Sequence, residues 1–496
     1  MDACGPEASQ DTIAAIATAV GDAGIAIIRM SGPDAFSVAD MLFVPGRGGA
    51  GAPHGLSSPA YVPGAGVPNG PESTSYHAVT SMASHTVAYG HLLDGPSGRV
   101  IDEVLLLKMV PPRTYTREPV VEIHCHGGRV VAQSVLRAVF GQGVRPAGPG
   151  EFTRRAFLNG RLDLAEAEAV MDLIRSQTDR GARAAVAQLE GRLSESIRAM
   201  REPLLDLLGR IAVNLDYPEY DAEETTLLQA LQILADVRAQ ARRLLDTYAE
   251  GRILKEGLNL VIAGRPNAGK SSLMNRLAGQ ERSIVTDIPG TTRDVVETHV
   301  SLRGLPVRLM DTAGLRETED AVERIGVART MNALAQAELV TAVFDGAEPP
   351  SDEDGQLVRL LSESRVPVLY VVNKADVAHP EVEAALARLL PEKPLSVSAR
   401  TGDGMEALVD RIAAVAVGNR QESESALVLT NERHRMQVAE AEARLAEAEM
   451  ACRDGMTHDV VAFLAREAWV SLGAVLGEGA TDELIDSIFS RFCLGK

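Results

Sequence analysis

The chain has 496 residues, of which 45% are hydrophobic and 24% are charged. That length exceeds what one hydrophobic core supports, so we expect about three domains of roughly 150 residues each. The net charge of −19 and the aromatic content of 4% argue mildly against RNA binding. No segment approaches the ~20 apolar residues of a membrane span, and the acidic N-terminus lacks a basic signal region. We therefore expect a cytoplasmic protein with no membrane attachment.

The cysteines Cys4, Cys125, Cys452 and Cys493 lie far apart and form no C-x-x-C pair, which predicts free thiols in a reducing compartment. The chain ends "FCLGK", and the glycine and lysine after Leu494 do not fit a prenylation signal.

The spacing of apolar and turn residues divides the chain into four segments. Residues 1–147 mix short apolar runs with turns and predict an α/β or α+β domain, of which α+β is favoured, with a mobile Gly/Pro-rich loop near 45–75. Residues 148–255 and 416–496 have helical spacing of apolar residues, whereas 256–415 alternates strands with helices. This pattern predicts one helical domain interrupted by an inserted domain with a doubly wound, mostly parallel sheet.

A phosphate-binding pattern, "GRPNAGKS", lies at 264–271 between an apolar strand and a helix. Its glycines let backbone N–H groups approach phosphate oxygens, Lys270 reaches the β- and γ-phosphates, and the Ser271 hydroxyl is a ligand for Mg²⁺. The predicted nucleotide contacts in this segment are Asn267, Ala268, Gly269, Lys270, Ser271 and Ser272.

The base is indicated by "NKAD", which ends an apolar strand and resembles the guanine-reading motif of GTPases. The carboxylate of Asp376 would accept both hydrogen bonds from guanine N1–H and the 2-amino group, a donor pattern that adenine lacks, so GTP is preferred. "SAR" resembles the supporting base loop. The predicted contacts are Asn373, Lys374, Asp376, Ser398, Ala399 and Arg400.

Two further motifs resemble the switches of GTPases. "DTAG" resembles switch II, with Asp311 just outside the Mg²⁺ ligands and the Gly314 N–H facing the γ-phosphate; Thr312 and Ala313 lie between them. "GTTRD" resembles switch I, in which a threonine completes the Mg²⁺ ligands. Thr292 is favoured for this role, and Thr291 is the alternative.

The catalytic water needs an orienting group, because Leu315 occupies the position where Ras-type enzymes have a glutamine. Asn267 resembles the asparagine with which cation-dependent GTPases hold K⁺ near the β- and γ-phosphates. K⁺ would supply the charge that an arginine finger brings elsewhere. The alternative is that Asn267 only shapes the loop.

With these motifs, nearly the whole chain resembles the tRNA modification GTPases of the MnmE family, also called TrmE. The resemblance is carried by "DTIAAIAT", "GPGEFTRRAFLNGRLDLAEAEAVMDLI", the GTPase motifs, "TNERH" and the terminal "FCLGK". The long central stretch and the terminus are specific to that family, whereas a GTPase domain alone is not.

The resemblance implies a tetrahydrofolate-binding N-terminal domain that dimerises and a FAD-dependent partner, MnmG, in a heterotetramer or larger complex. Such proteins install an aminomethyl or carboxymethylaminomethyl group at C5 of the wobble uridine, position 34, of certain tRNAs. The one-carbon unit comes from 5-formyl- or 5,10-methylene-tetrahydrofolate, and GTP hydrolysis drives a conformational cycle that depends on K⁺ and Mg²⁺.

The resemblance also implies site residues. Folate contacts fall on Arg29, Glu103, Arg161 and Lys496, and K⁺ ligands fall on Asn267, Thr286, Ile288 and Thr291. Thr286 also belongs to the GTP contacts. Glu323 would orient the hydrolytic water, and Cys493 is a candidate catalytic nucleophile. The alternatives are surface ion pairs for the folate set, a solvated helix face for Glu323, and a structural thiol for Cys493.

The terminal "FCLGK" bears on how the domains are arranged. The resemblance implies that the helical domain folds back so that Cys493 and Lys496 reach an N-terminal domain, of the same or of the other subunit. A flexible tail is the alternative.

Two weaker patterns remain. His124 and His126 share one face of a strand, a spacing compatible with a metal pair, although no further ligand cluster accompanies them. Arg154, Arg155 and Arg161 could form a tRNA-facing patch, but solvated helix arginines are the favoured interpretation.

Two other functions compete with tRNA modification. A ribosome-assembly GTPase would share every motif of the nucleotide site, but such factors often append a KH module with a GXXG loop, and the sequence after residue 415 is helical instead. A folate enzyme with a purely structural GTPase domain is disfavoured by the complete motif set. The favoured function is a GTP-hydrolysing enzyme of tRNA modification.

Overall fold

The computed structural model describes residues 11–19, 21–46, 78–95, 97–216, 227–280, 298–311, 336–417 and 427–496. The loop predicted near 45–75 falls outside these residues except for its first two positions. The chain forms two compact units: Met1–Glu168 with Leu476–Lys496, and Ala169–Val475. The four-segment boundaries expected from the sequence stay a prediction.

The first unit contains a seven-stranded mixed sheet in the order β3-β4-β5-β6-β2-β1-β7. Alternation along β2 explains its orientation: Ala26, Ile28 and Met30 are buried against helices, whereas Arg29 lies on the opposite face. The strands are β1 Ile13–Ile16, β2 Ile25–Ser31, β3 Phe43–Pro45, β4 Thr86–Leu93, β5 Val100–Met109, β6 Val120–His126 and β7 Arg145–Pro146.

Helices cover one face of this sheet, where the apolar residues of α1 and α3 join the core. The predicted α+β organisation of this segment agrees with that arrangement. The helices up to residue 175 are α1 Ala35–Leu42, α2 Ala78–Ser81, α3 Arg129–Phe140, α4 Glu151–Leu158 and α5 Leu164–Arg175.

The second unit contains a six-stranded sheet in the order β13-β12-β11-β8-β10-β9, in which only the β9–β10 pair is antiparallel. All seven residues of β11 are buried, as expected for a parallel strand covered on both faces. The strands are β8 Leu258–Ala263, β9 Thr298–Leu302, β10 Leu305–Asp311, β11 Leu339–Asp345, β12 Val368–Asn373 and β13 Leu395–Ser396.

Two separate apolar cores lie on the two faces of this sheet. One joins Leu260 and Ile262 to α10 and α13, and the other joins Val261 and Ala263 to α11 and α12. The predicted doubly wound, mostly parallel sheet is therefore present. Its helices are α10 Lys270–Gln280, α11 Asp352–Glu363, α12 Pro380–Leu389 and α13 Met405–Val417.

The remaining helices precede and follow that sheet in the chain. α8 and α14 pack side by side, and the Arg238 Nε on α8 donates to the Glu442 Oε1 on α14 at 2.8 Å. They are α6 Asp179–Leu189, α7 Arg192–Asp216, α8 Leu227–Leu245, α9 Tyr248–Glu256, α14 Glu432–Arg453, α15 His458–Leu476 and α16 Asp482–Phe489. In the part of the chain that the structure describes, no helix is long and apolar enough to cross a membrane.

Candidate functional site

The phosphate loop joins the end of β8 to the start of α10. Asn267 and Gly269 have left-handed backbone conformations, with φ of 65° and 87°. A Cβ on Gly264 would lie 2.4 Å from the Val343 carbonyl oxygen, so only glycine fits there. The loop ends at Lys270, where the free N–H groups and the dipole of α10 favour an anion.

Lys270 folds back under the loop. Its Nζ donates to the carbonyl oxygens of Gly264 and Arg265, each at 2.9 Å, and the residue is only 7% exposed. Ser271 and Ser272 follow in the first turn of α10 and are exposed. The ammonium is thus held at the loop while the two hydroxyls remain open to a ligand.

Asn373 connects the phosphate loop to the base loops. Its Nδ2 donates to the Ala268 carbonyl oxygen at 3.0 Å, and its Oδ1 accepts from the Ala399 N–H at 3.1 Å. A Cβ on Gly269 would lie 2.2 Å from the same Nδ2. Three motifs that are far apart in sequence therefore meet at one buried amide.

The Asp376 carboxylate is held by two neighbours. The Ser398 hydroxyl donates to Oδ1 at 2.6 Å and Arg400 approaches Oδ2 at 2.5 Å. The Ser398 hydrogen bond, supported by the Arg400 charge, holds the pKa of Asp376 below its ordinary value. The carboxyl is therefore ionised at neutral pH, as an acceptor for base N–H groups must be.

The carboxyl end of β10 lies beside the end of β8, since Asp311 is the parallel partner of Ile262. This places the start of "DTAG" at the same sheet edge as the phosphate loop. The other switch residues lie outside the described residues: Thr286, Ile288, Thr291, Thr292, Thr312, Ala313, Gly314 and Glu323.

Metal chemistry at this edge is that of Mg²⁺ bound to a nucleotide. Within the described residues, no group of three or more His, Cys, Asp and Glu side chains could hold a metal. Mg²⁺ commonly takes one or two protein oxygens and completes its shell with phosphates and water. The exposed Ser271 hydroxyl at the start of α10 fits that requirement.

In the first unit, two of the predicted folate residues meet at Tyr115. The guanidinium carbon of Arg29 lies 5.4 Å from the Tyr115 ring centroid, and that of Arg161 lies 4.7 Å from it. Arg161 also donates to the Tyr115 carbonyl oxygen at 3.3 Å, and Arg29 pairs with Glu122 at 2.8 Å. Glu103 is exposed on β5, opposite His91.

The terminal "FCLGK" packs on this same unit of its own chain. The Gly150 N–H donates to the Cys493 carbonyl oxygen at 3.3 Å. Gly495 has a φ of 87°, and a Cβ there would lie 2.3 Å from the Ile16 carbonyl oxygen. Phe492 is buried, Cys493 is exposed and Lys496 is half-buried. A flexible tail is therefore wrong, and the terminus reaches the N-terminal unit without a second subunit.

For Arg155 on α4, the favoured interpretation of a solvated arginine is wrong, whereas the side chain of Arg154 is 37% exposed and Arg161 is exposed. Arg155 is 2% exposed and contacts Asp11, Glu118 and Glu151, so it is neither solvated nor available to tRNA. Arg154 pairs with Asp486. The helical pattern alone does not reveal carboxylates that approach from distant segments.

Each of the two histidines of β6 has a carboxylate neighbour. His124 Nε2 lies 3.5 Å from Glu122, and His126 Nδ1 lies 2.8 Å from Asp102. The sequence interpretation missed Tyr115 and Glu122, which carry no motif, and Asp345, which ends the apolar strand "LVTAVFD" and receives the Lys374 ammonium at 2.6 Å. The sequence signal for Asp345 was a carboxylate at the end of an apolar strand.

Comparisons with known proteins give matches over nearly the whole chain. Residues 12–161 match the family described as "GTP-binding protein TrmE N-terminus", and residues 164–493 match "MnmE helical domain". The "tRNA modification GTPase MnmE" of Geobacillus kaustophilus (strain HTA426) is 43% identical over 488 residues, which cover 98% of this chain and 99% of that protein. The protein of the same name from Bacillus subtilis (strain 168) is 42% identical over 489 residues, 98% of this chain and all of that one.

A solved structure of the G domain of the T. maritima FeoB iron transporter is 27% identical and covers 32% of this chain and 98% of its own, with a TM-score of 0.25. A score that low carries no structural argument of its own.

The phosphate loop, the base loops and the family matches together define a P-loop GTPase, an enzyme that binds GTP with Mg²⁺ and hydrolyses it. The chain belongs to the tRNA modification GTPase MnmE family. The ribosome-assembly alternative is thereby set aside. Family membership outweighs the mild argument from acidic composition, because net charge does not reveal local surfaces.

Proposed function

We propose that the protein hydrolyses GTP to drive formation of an aminomethyl or carboxymethylaminomethyl group at C5 of the wobble uridine of certain tRNAs. The geometric observation that carries the proposal is the Asn373 amide, which joins the phosphate loop to both base loops. Family membership over nearly the full chain supports the tRNA reaction.

The proposed nucleotide contacts are those expected from the sequence. Backbone N–H groups from Asn267 to Ser272 and the Lys270 ammonium hold the phosphates, and the Ser271 hydroxyl is a ligand of Mg²⁺. The Asp376 carboxylate accepts from guanine N1–H and the 2-amino group, and its ionised state under the Ser398 hydroxyl supports that role. The proposed site also includes switch I, switch II and Glu323. Of these residues, only Asp311 lies among the described residues.

A K⁺ ion beside the β- and γ-phosphates would offset the charge that develops during hydrolysis. Asn267 is exposed in the phosphate loop, so its amide oxygen is open to a cation, which supports its assignment as one ligand. Thr286, Ile288 and Thr291 are the other proposed ligands.

For the first unit we propose a tetrahydrofolate site built from Arg29, Glu103, Arg161 and Lys496. The guanidinium of Arg29 keeps N–H donors beyond the one that Glu122 receives, and Arg161 is exposed, so both can meet carboxylates of a folate tail. The packing of the "FCLGK" terminus on the same unit supports the inclusion of Lys496 and, as candidate nucleophile, Cys493.

The proposed assembly is a homodimer that works with the FAD-dependent MnmG in a heterotetramer or larger complex in the cytoplasm. We also propose that residues 256–415 form a GTPase domain inserted into a helical domain made of 148–255 and 416–496, following an N-terminal domain of residues 1–147. The packing of α8 against α14, one from each side of that insertion, supports this organisation.

GTP hydrolysis by the purified full chain tests the cation dependence. Rates are compared in K⁺ and in Na⁺ at equal ionic strength and saturating Mg²⁺. We expect faster hydrolysis in K⁺, and we expect Asn267→Ala to remove most of the difference. Equal rates in the two salts would contradict the K⁺ site while leaving the GTPase assignment intact.

A further inference from the structure

Asp345 lies at the carboxyl end of β11 and contacts Lys374, the lysine of "NKAD". Its side chain is 2% exposed and carries two contacts: Oδ2 accepts from Lys374 Nζ at 2.6 Å, and Oδ1 accepts from the Ala347 N–H at 2.9 Å. Asp345 and Asn373 are parallel neighbours on β11 and β12, so this carboxylate sits directly beside the start of "NKAD".

The backbone of Lys374 is held in place, whereas its side chain depends on Asp345. The φ of Lys374 is 64°, an uncommon conformation for a residue other than glycine. The backbone is fixed from both sides, since the Val377 N–H donates to the Lys374 carbonyl oxygen and the Ala375 N–H donates to Val397, each at 3.0 Å. The side chain is 36% exposed, and the Asp345 contact is what fixes its far end.

The loop on the other side of Asp345 is tightly packed. The Gly346 N–H donates to the Asn373 carbonyl oxygen at 2.8 Å, and a Cβ on Gly346 would lie 2.8 Å from that oxygen. The carboxylate therefore stands on a backbone that has little room to shift, which makes it a fixed point for a long, flexible lysine.

We propose that Asp345 is a positioning residue for guanine recognition, acting through Lys374. With its ammonium held by Asp345, the four-carbon stem of Lys374 presents an extended apolar surface for the plane of a base, next to the Asp376 carboxylate that reads the edge of the base. The inference rests on the proposed guanine site. Asp345 itself touches no ligand.

The effect of losing this carboxylate should be confined to the base. Asp345→Asn keeps an oxygen for the Ala347 N–H but removes the charge, so Lys374 becomes free to move. A charge-assisted hydrogen bond contributes about 1.5–3 kcal/mol, so its complete loss corresponds to a roughly 10–150-fold change in affinity. We expect the dissociation constant for GDP to rise about tenfold. The dissociation constant for inorganic tripolyphosphate, which has no base, should stay unchanged.

The experiment measures binding of GDP and of tripolyphosphate to the full-length protein by calorimetry. The variants are Asp345→Asn, Lys374→Ala, the double variant, and Asp410→Asn as a control that removes an exposed carboxylate from the same sheet domain. The inference predicts a selective loss for GDP in Asp345→Asn, no further loss when it is added to Lys374→Ala, and wild-type binding in the control.

Three results would overturn the role of Asp345 alone, and a fourth would overturn the guanine site on which it rests. GDP binding within twofold of wild type in Asp345→Asn would show that the ion pair does not matter. Equal weakening of GDP and tripolyphosphate would show a merely structural role. Full additivity in the double variant would show that Asp345 does not act through Lys374. If Asp376→Asn left GDP binding intact, the guanine site itself would be wrong and the inference would fall with it.

Discussion

At the scale of single residues, conformational strain gathers at the nucleotide loops. Two of the five non-glycine residues with positive φ in the described part of the chain are Asn267 and Lys374. Such conformations persist where surrounding contacts determine them: the Asn373 amide binds the Ala268 carbonyl oxygen next to Asn267, and the N–H groups of Ala375 and Val377 hold the backbone at Lys374. Phosphate binding and base reading therefore depend on a few side chains that hold backbone, not only on those that touch the ligand.

Gly269 gives the most direct test of the Asn373 connection. An alanine at this position would place its Cβ 2.2 Å from Asn373 Nδ2 and would strain a φ of 87°. We expect Gly269→Ala to weaken GDP binding by about tenfold or more, measured by fluorescence titration. The matched control is Gly279→Ala at the far end of α10, where an added Cβ meets no heavy atom within 4 Å. Equal affinities for the two variants would count against the account.

Tyr115 gives the corresponding test in the folate site. Its ring faces the guanidinium groups of Arg29 and Arg161, and each cation–π contact contributes about 0.5–1 kcal/mol at a partly exposed site. We expect Tyr115→Leu to weaken binding of 5-formyl-tetrahydrofolate by about five- to thirtyfold.

Tyr115→Phe keeps the ring and loses only the hydroxyl contact to Thr153 at 2.8 Å, so its folate affinity should stay within about twofold of wild type. Unchanged amide hydrogen exchange in β1, β2 and β6 in both variants would show that the first unit remains folded. If the leucine and phenylalanine variants bound folate equally well, the ring would have no positioning role.

At the scale of elements, residues 492–496 form a terminal strap that packs on the N-terminal sheet. The turn after α16 is secured by a tilted contact between the Phe489 and Phe492 rings, whose centroids are 5.1 Å apart, and by the approach of Gly495 to β1. Glycine is required at residue 495 because positive φ and a close carbonyl coincide there. The position of the exposed Cys493 therefore depends on this strap.

The strap can be loosened by one methyl group. Gly495→Ala would bring a Cβ to 2.3 Å from the Ile16 carbonyl oxygen, whereas Gly479→Ala carries similar left-handed strain, with a φ of 71°, and meets nothing within 4 Å. We expect faster amide hydrogen exchange in 13–16 and at Gly150 for Gly495→Ala only. Identical exchange in the two variants would mean that the strap is not held by this contact.

Motifs and contacts differ in how far the sequence predicts them. The phosphate loop and the strand ends were predicted because their glycines, lysine and apolar runs reflect local backbone demands. Asp345 and Tyr115 were missed because their partners come from elsewhere: Lys374 is 29 residues from Asp345, and Glu122 is 93 residues from the Arg29 that it anchors. Arg155 was misjudged for the same reason, since the carboxylate of Asp11 lies 144 residues away.

At the scale of the whole molecule, the two proposed sites lie in different units. The first unit carries the proposed folate residues together with the strap, and the second carries the assembled nucleotide loops. Family membership assigns the chain to one process, the modification of tRNA. We propose that both sites serve that process.

The most direct test of the central claim is mass spectrometry of nucleosides from total tRNA of a strain that lacks this gene. The account predicts loss of the 5-aminomethyl and 5-carboxymethylaminomethyl wobble uridines, restored by the wild-type gene and not by an Asp376→Asn variant. Unchanged wobble uridines in the deletion strain would contradict it.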